Sequence, residues 1–187
     1  VSDPEAEPHS RASLFIVPTD SAGYWLLRNT PVMGDEGGDL FSHGEISLED
    51  CELGADALLG PRGEGFRLAQ SRLGPGRIHH CMRSIGLCEL LIELMMVRSS
   101  ERSAFGRTVI QYDTVQRWIA ESRVELEQAR LLAYRCAWRL DQAGHQDAWR
   151  DVSLIKVAVP AMLQRIADRA MQVFGAMGGS DDTPIHQ

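Results

Sequence analysis

Apolar residues recur at alternating steps of four and three over two long runs, and this pattern constrains the fold more than any other feature of the chain. From about Asp113 to Ala143 the run is Val115, Ile119, Ser122, Leu126, Ala129, Ala133, Cys136 and Leu140. From about Asp147 to Phe174 it is Val152, Ile155, Val159, Met162, Ile166, Ala170 and Val173. Such spacing holds one stripe on one side of an α-helix, so both segments are read as amphipathic helices. Asp113 or Thr114 is placed to cap the first, Gly144 to stop it, and Gly175 to close the second. Another long helix is expected behind Pro75-Gly76, after a short helical segment from Gly65 to Ser71. Its broad apolar face carries Ile78, Cys81, Met82, Ile85, Cys88, Leu91, Ile92 and Met95. Helices of about 24 to 30 residues are about 36 to 45 Å long, which suits an antiparallel bundle of at least four members and leaves three helices with a face uncovered. Pro160, inside the last run, predicts a kink or close packing between Ala158 and Ala161.

Before Pro61 the pattern is different. Short segments, Ser13 to Val17, Tyr24 to Leu27 and Glu45 to Leu48, are separated by Gly, Pro, Asn and Asp, and they read as strands and turns. Asp20-Ser21-Ala22-Gly23 and Gly34-Asp35-Glu36-Gly37-Gly38 supply the turn chemistry. Three or four strands are too few to bury both faces of a sheet. The fold class is therefore α+β: a short, incomplete antiparallel β segment followed by a mainly antiparallel bundle of long helices.

Composition narrows the function. With 26 acidic and 19 basic side chains the net charge is −7, and no Lys/Arg run interrupts it, so nucleic acid is not an expected partner. No stretch reaches the roughly 18 to 20 apolar residues of a membrane span. Cys51, Cys81, Cys88 and Cys136 form no CxxC pair. Three of them fall on apolar helix faces, where a thiol behaves as a small buried hydrophobe in a reducing compartment. His79 and His80 diverge by about 100° on a helix and have no HxxxH or HxxE partner, so no metal site is expected. Glu101, Glu121, Glu125, Glu127, Asp147 and Asp151 are scattered over helix surfaces as solvated charges without a catalytic dyad. No GxSxG elbow points to a hydrolase.

Two segments carry more. In Glu101-Arg102-Ser103-Ala104-Phe105-Gly106-Arg107 an arginine fork and an aromatic ring meet at a helix-ending glycine, which can serve a phosphate-bearing ligand. The simpler reading is a helix stop with Phe105 as a hydrophobic staple. In Met171-Gln172-Val173-Phe174-Gly175-Ala176-Met177-Gly178-Gly179 three glycines let the backbone approach a ligand or a neighbouring subunit, or form only a helix end and a turn.

Taken in order, Gly63-Glu64-Gly65-Phe66, Arg72-Leu73-Gly74-Pro75-Gly76-Arg77-Ile78, Arg102 to Gly106 and Gln172 to Gly179 resemble the acyl-CoA dehydrogenase family in motif and spacing, over nearly the whole chain. Gly74 to Arg83 and Trp118-Ile119-Ala120-Glu121-Ser122-Arg123 are most similar to the branch that in animals is fused to a kinase-like domain. The resemblance implies an FAD flavoprotein of fatty acid metabolism (β-oxidation) that converts an acyl-CoA thioester to the trans-2-enoyl-CoA. Electrons pass to an electron-transfer flavoprotein or similar acceptor, and subunits assemble as homodimers or homotetramers. It also implies that Val1 to Gly60 is the C-terminal part of a middle β domain and Pro61 to Gln187 most of a C-terminal helical bundle. The chain is then an internal piece, of a cytoplasmic protein or, in a eukaryote, one of the mitochondrial matrix.

Carried over by residue, Arg102 would grip the FAD diphosphate of a neighbouring subunit, and Phe105 would pack on the cofactor. Gln172 and the backbone of Phe174, Gly175 and Ala176 would hold the same FAD. Arg77 would contact the CoA substrate. Asp113 stands where many members have a cofactor-binding glutamine, and a carboxylate there would repel a diphosphate unless protonated or turned away. Ala176 replaces a usual glycine. No catalytic base is expected within this chain: Gly76 occupies the position where some members place a glutamate, and the more usual position would follow Gln187. The alternatives are a non-catalytic partner subunit of a flavoprotein complex and a helical interaction module without ligand.

Overall fold

The computed structural model describes residues 3–32, 37 and 43–186. The chain divides into two compact units, residues 1–70 and 71–187. In the first unit, β1 (Leu14–Phe15) pairs antiparallel with β4 (Leu58–Leu59), and β2 (Tyr24–Asn29) with β3 (Gly44–Leu48). Tyr24 faces Leu48 and Leu26 faces Ile46, with a bulge between Leu26 and Arg28. Gly23 opens β2 at φ +83, and a Cβ there would lie 2.1 Å from the Glu49 carbonyl oxygen, so only glycine fits. Trp25, Leu26, Leu27, Ile46 and Leu48 are all exposed. Successive residues of a strand point to opposite faces, so both faces of this ribbon are uncovered, as expected of an incomplete sheet. The turn expected at Gly34 to Gly38 lies, except for Gly37, outside the described residues.

Three long helices follow: α1 (Gly65–Glu101), α2 (Asp113–Asp147) and α3 (Trp149–Phe174). The bounds of these helices correct three sequence expectations. The segment Gly65 to Ser71 and the helix behind Pro75 are one continuous helix with Pro75 inside it. The proline forfeits the N–H that would face the Ser71 carbonyl, while Gly74 and Gly76 place no side chains beside the ring. Gly144 does not stop α2, which runs on to Asp147. An interior glycine costs about 1 kcal/mol without breaking a helix. The break comes one residue later at the fully buried Ala148 (φ −90°, ψ 0°), which alone joins α2 to α3. Nor is Asp113 or Thr114 the N-cap: the N–H groups of Val115 and Gln116 both donate to the Tyr112 carbonyl, and Asp113 lies in the first turn, where its charge complements the helix dipole.

The predicted stripes of α2 and α3 form the core, with Ile119 and Leu140 half-buried at its margin. From α1, Cys81, Ile85, Cys88, Ile92 and Met95 join it, but Met82 is exposed. Interhelical pairs give the directions. Arg169 donates to Glu121 at 2.8 Å and to Glu125 at 3.1 Å, Arg165 to Glu125 at 2.8 Å, and Arg135 to Asp151 at 2.6 Å, so α2 and α3 are antiparallel. The Cys81 thiol donates to the Ile155 carbonyl at 3.6 Å, tying α1 to α3. Asp151, expected as a solvated charge, is buried against Arg135. Burial pushes the Cys81 and Cys136 thiols up from their ordinary range, and Cys88 up to about 12, with the Glu125 carboxylate adding to the last. All four cysteines are free thiols.

Candidate functional site

The end of α1 and the end of α3 meet beside the start of α2. At the first, the Arg102 N–H donates to the Arg98 carbonyl at 3.0 Å, and the Val109 N–H donates to the Arg102 carbonyl at 2.8 Å, which fixes the backbone of Arg102 on both sides. The chain then turns through a small hairpin, β5 (Ser103–Ala104) and β6 (Arg107–Thr108). Its two-residue loop is Phe105-Gly106, with φ +50° and +82°. Two adjacent positive φ values are the signature of the tight turns that match strand twist, but an aromatic residue there is strained. The Tyr112 hydroxyl braces the hairpin by donating to the Ala104 carbonyl at 2.9 Å, and the Arg107 guanidinium stacks 3.8 Å from the centre of the Tyr112 ring.

At the second end, Gly175 leaves α3 at φ +65°, and its N–H donates back to the Met171 and Gln172 carbonyls. A short 3-10 turn, Gly175–Gly179, follows. Between the two ends lies a cleft of about 290 Å³, lined by Arg98 and Arg102, by the apolar Val109, Val115 and Trp118, and by Gln172 to Met177. Among the described residues two arginines line it and no carboxylate does, so within a chain of net charge −7 it is locally electropositive.

Five of the six positions proposed for cofactor contact, Arg102, Gln172, Phe174, Gly175 and Ala176, line this one cleft although they come from segments seventy residues apart. Phe105 is not in the lining. It is 99% exposed at the hairpin tip, so it is not a hydrophobic staple. Arg77 lies half-buried on α1, outside the lining. Asp113 is exposed and is also outside the lining. His79 and His80 are exposed, and among the described residues no three His, Cys, Asp or Glu side chains gather as a metal site. Sequence reasoning missed Arg98. Its guanidinium lies 5.5 Å from the centre of the Phe174 ring, and its Nε is buried without a partner among the described residues. Its spacing from Arg102, one helical turn, was the available signal.

Long helices packed as a bundle, with an electropositive cleft at a helix-ending glycine, define a domain class that the comparisons resolve. The family model described as "Acyl-CoA dehydrogenase, C-terminal domain" matches residues 63–187. The chain is 45% identical over 184 residues to "Probable acyl-CoA dehydrogenase FadE2" of Mycobacterium tuberculosis, covering 98% of this chain and 45% of that protein. It is 40% identical over 182 residues to "Acyl-CoA dehydrogenase family member 11" of Rattus norvegicus, covering 97% and 23%, in line with the branch that the sequence resembles. A solved structure from Mycobacterium abscessus, assigned to the acyl-CoA dehydrogenases, superposes with a TM-score of 0.92 at 42% identity, over 98% of this chain and 45% of that one. The chain belongs to the acyl-CoA dehydrogenase family. It spans less than half the length of these curated relatives.

Proposed function

We propose that this chain is the bundle-forming part of an FAD-dependent acyl-CoA dehydrogenase, contributing subunit interface and parts of the FAD and CoA sites. The observation that carries this reading is the gathering of Arg102, Gln172 and the Phe174–Ala176 segment around one cleft that no carboxylate lines among the described residues. That donor set suits a dinucleotide: a planar guanidinium for the diphosphate, an amide for sugar or base, and a backbone unobstructed at Gly175, where nothing lies within 4 Å of a Cβ position. Phe105 is held out, almost fully exposed, at the hairpin tip. An aromatic ring in that position fits packing on the cofactor of a neighbouring subunit in a homodimer or homotetramer.

FAD, when bound, accepts the hydride removed from the acyl β-carbon. This chain's residues bind and orient. Arg102 neutralises the diphosphate, Gln172 and the turn after α3 fix the cofactor's register, and Arg77 meets the anionic CoA. The α-proton must be taken by a carboxylate within hydrogen-bond reach of the thioester α-carbon. Gly76 has no side chain to do so, so the base is assigned to the complete polypeptide outside this segment. The domain reading follows: residues 1–60 end a middle β domain and residues 61–187 form most of the C-terminal bundle. An electron-transfer flavoprotein or similar acceptor, a role in fatty acid β-oxidation and a location in the cytoplasm or mitochondrial matrix belong to the same proposal. Among the described residues no helix is long and apolar enough to cross a membrane.

The test is turnover by the complete polypeptide with a panel of acyl-CoA thioesters and a dye acceptor. A product two hydrogens lighter, with dye reduced in equal amount, is expected. Flavin-loaded protein that leaves every thioester unchanged would contradict the proposal.

A further inference from the structure

Arg98 is not accounted for by an FAD site built on Arg102 alone. It projects from the last turn of α1 on the same face as Arg102, four residues away, and like charges at that spacing repel. Among the described residues no carboxylate lines the cleft they share, so none in that lining offsets the repulsion. The Nε of Arg98 is removed from water and has no hydrogen-bond partner among the described residues, and an arginine N–H buried without a partner is costly to keep. The Phe174 ring, 5.5 Å from the guanidinium carbon, holds the group against the end of α3, where the chain turns at Gly175. A fixed, partly desolvated cation beside a second cation is an arrangement that a bound anion compensates.

We infer that Arg98 is a second diphosphate-binding residue, which pairs with Arg102 to close a two-arginine clamp on the cofactor's phosphates and is aimed by its stacking on Phe174. This rests on the reading of the cleft as the FAD site. It adds that affinity for the diphosphate is shared between two guanidiniums and that Phe174 acts by positioning Arg98 as well as through its backbone.

The experiment uses the complete polypeptide stripped of flavin and titrated with FAD at two salt concentrations, as wild type, Arg98→Met, Arg98→Lys and Arg102→Met. The melting temperature of each apo form is measured alongside. The inference expects Arg98→Met to weaken FAD binding at least tenfold and to flatten its salt dependence. Arg98→Lys should recover part of the loss by restoring charge without the fork, and the apo melting temperatures should stay near wild type. Wild-type affinity in Arg98→Met, with Arg102→Met impaired, would overturn the inference and leave the FAD site standing. Wild-type affinity in both methionine variants would overturn the site itself. Should Arg98→Met fail to fold, Arg98→Lys decides: weaker FAD binding at an unchanged apo melting temperature supports the clamp. A loss of affinity that only follows a loss of apo stability assigns Arg98 a structural role and overturns it.

Discussion

Gly178 lies so close to Met171 that a Cβ on it would sit 2.7 Å from the Met171 carbonyl oxygen and 3.0 Å from its Cα. Both obstructing atoms are backbone of α3, so they cannot swing aside. The turn after α3 is thereby pressed against the helix it leaves, which holds the Phe174–Ala176 backbone at the cleft. Gly178→Ala is expected to destabilise the fold by about 1 to 3 kcal/mol. Gly179→Ala, with nothing within 4 Å of its Cβ position, should stay within about 0.5 kcal/mol of wild type. Urea denaturation of the two variants checks the contrast.

Phe105 makes the opposite prediction. Its backbone is left-handed and its ring is 99% exposed, so Phe105→Gly removes strain and no internal contact. Apo stability should be unchanged or raised by up to about 1 kcal/mol, while flavin retention by the complete polypeptide falls. Calorimetry of the apo form and flavin content after gel filtration measure the two effects separately.

The buried thiols set an alkaline limit. Unfolded Cys88 ionises near its ordinary value of 9.0, whereas in the fold burial and then Glu125 hold it protonated up to about 12. Above pH 9 the unfolded chain therefore releases a proton that the folded chain keeps, and folding stability falls from there toward pH 12. Cys81 and Cys136, also shifted upward, act in the same direction. Denaturation midpoints measured from pH 8 to 11 should decline more steeply in wild type than in Cys88→Ala. At pH 8 a thiol reagent should modify Cys51, which is half-buried, well before the three core cysteines.

Arg169 is 14% exposed at its side chain and is held by Glu121, Glu125 and Ser122. Glu125→Ala strips it of one carboxylate and Arg165 of its partner. A loss of about 1 to 3 kcal/mol is expected. In the double variant Glu125→Ala/Arg169→Met the loss should be smaller than the sum of the two separate losses, because either substitution alone already breaks the Glu125–Arg169 pair.

The stripes of α2 and α3 were legible because hydrophobic periodicity records which side faces a neighbour, and every residue named in the α3 run is buried. What stops a helix was harder to read. Pro75 and Gly144 are local signals of modest energy, and the helices run through both, ending at Glu101 and beside Ala148 instead. Met82 was placed on too broad a stripe: it follows Cys81 by about 100° around α1 and turns away from the core formed with α2 and α3. In the cleft, motif spacing led to Arg102, Gln172 and the turn after α3. Arg98 carries no motif, and its meaning depends on a ring seventy-six residues away. Phe105 could be read as a staple or as an outward contact until its backbone conformation was known.

Native mass spectrometry of the complete polypeptide as purified tests whether the cleft at the ends of α1 and α3 belongs to an FAD-dependent dehydrogenase. A homodimer or homotetramer with one FAD per subunit is expected, with lower flavin occupancy when Arg102 is replaced by Ala. An assembly without flavin after reconstitution, or full flavin occupancy in Arg102→Ala, would contradict it.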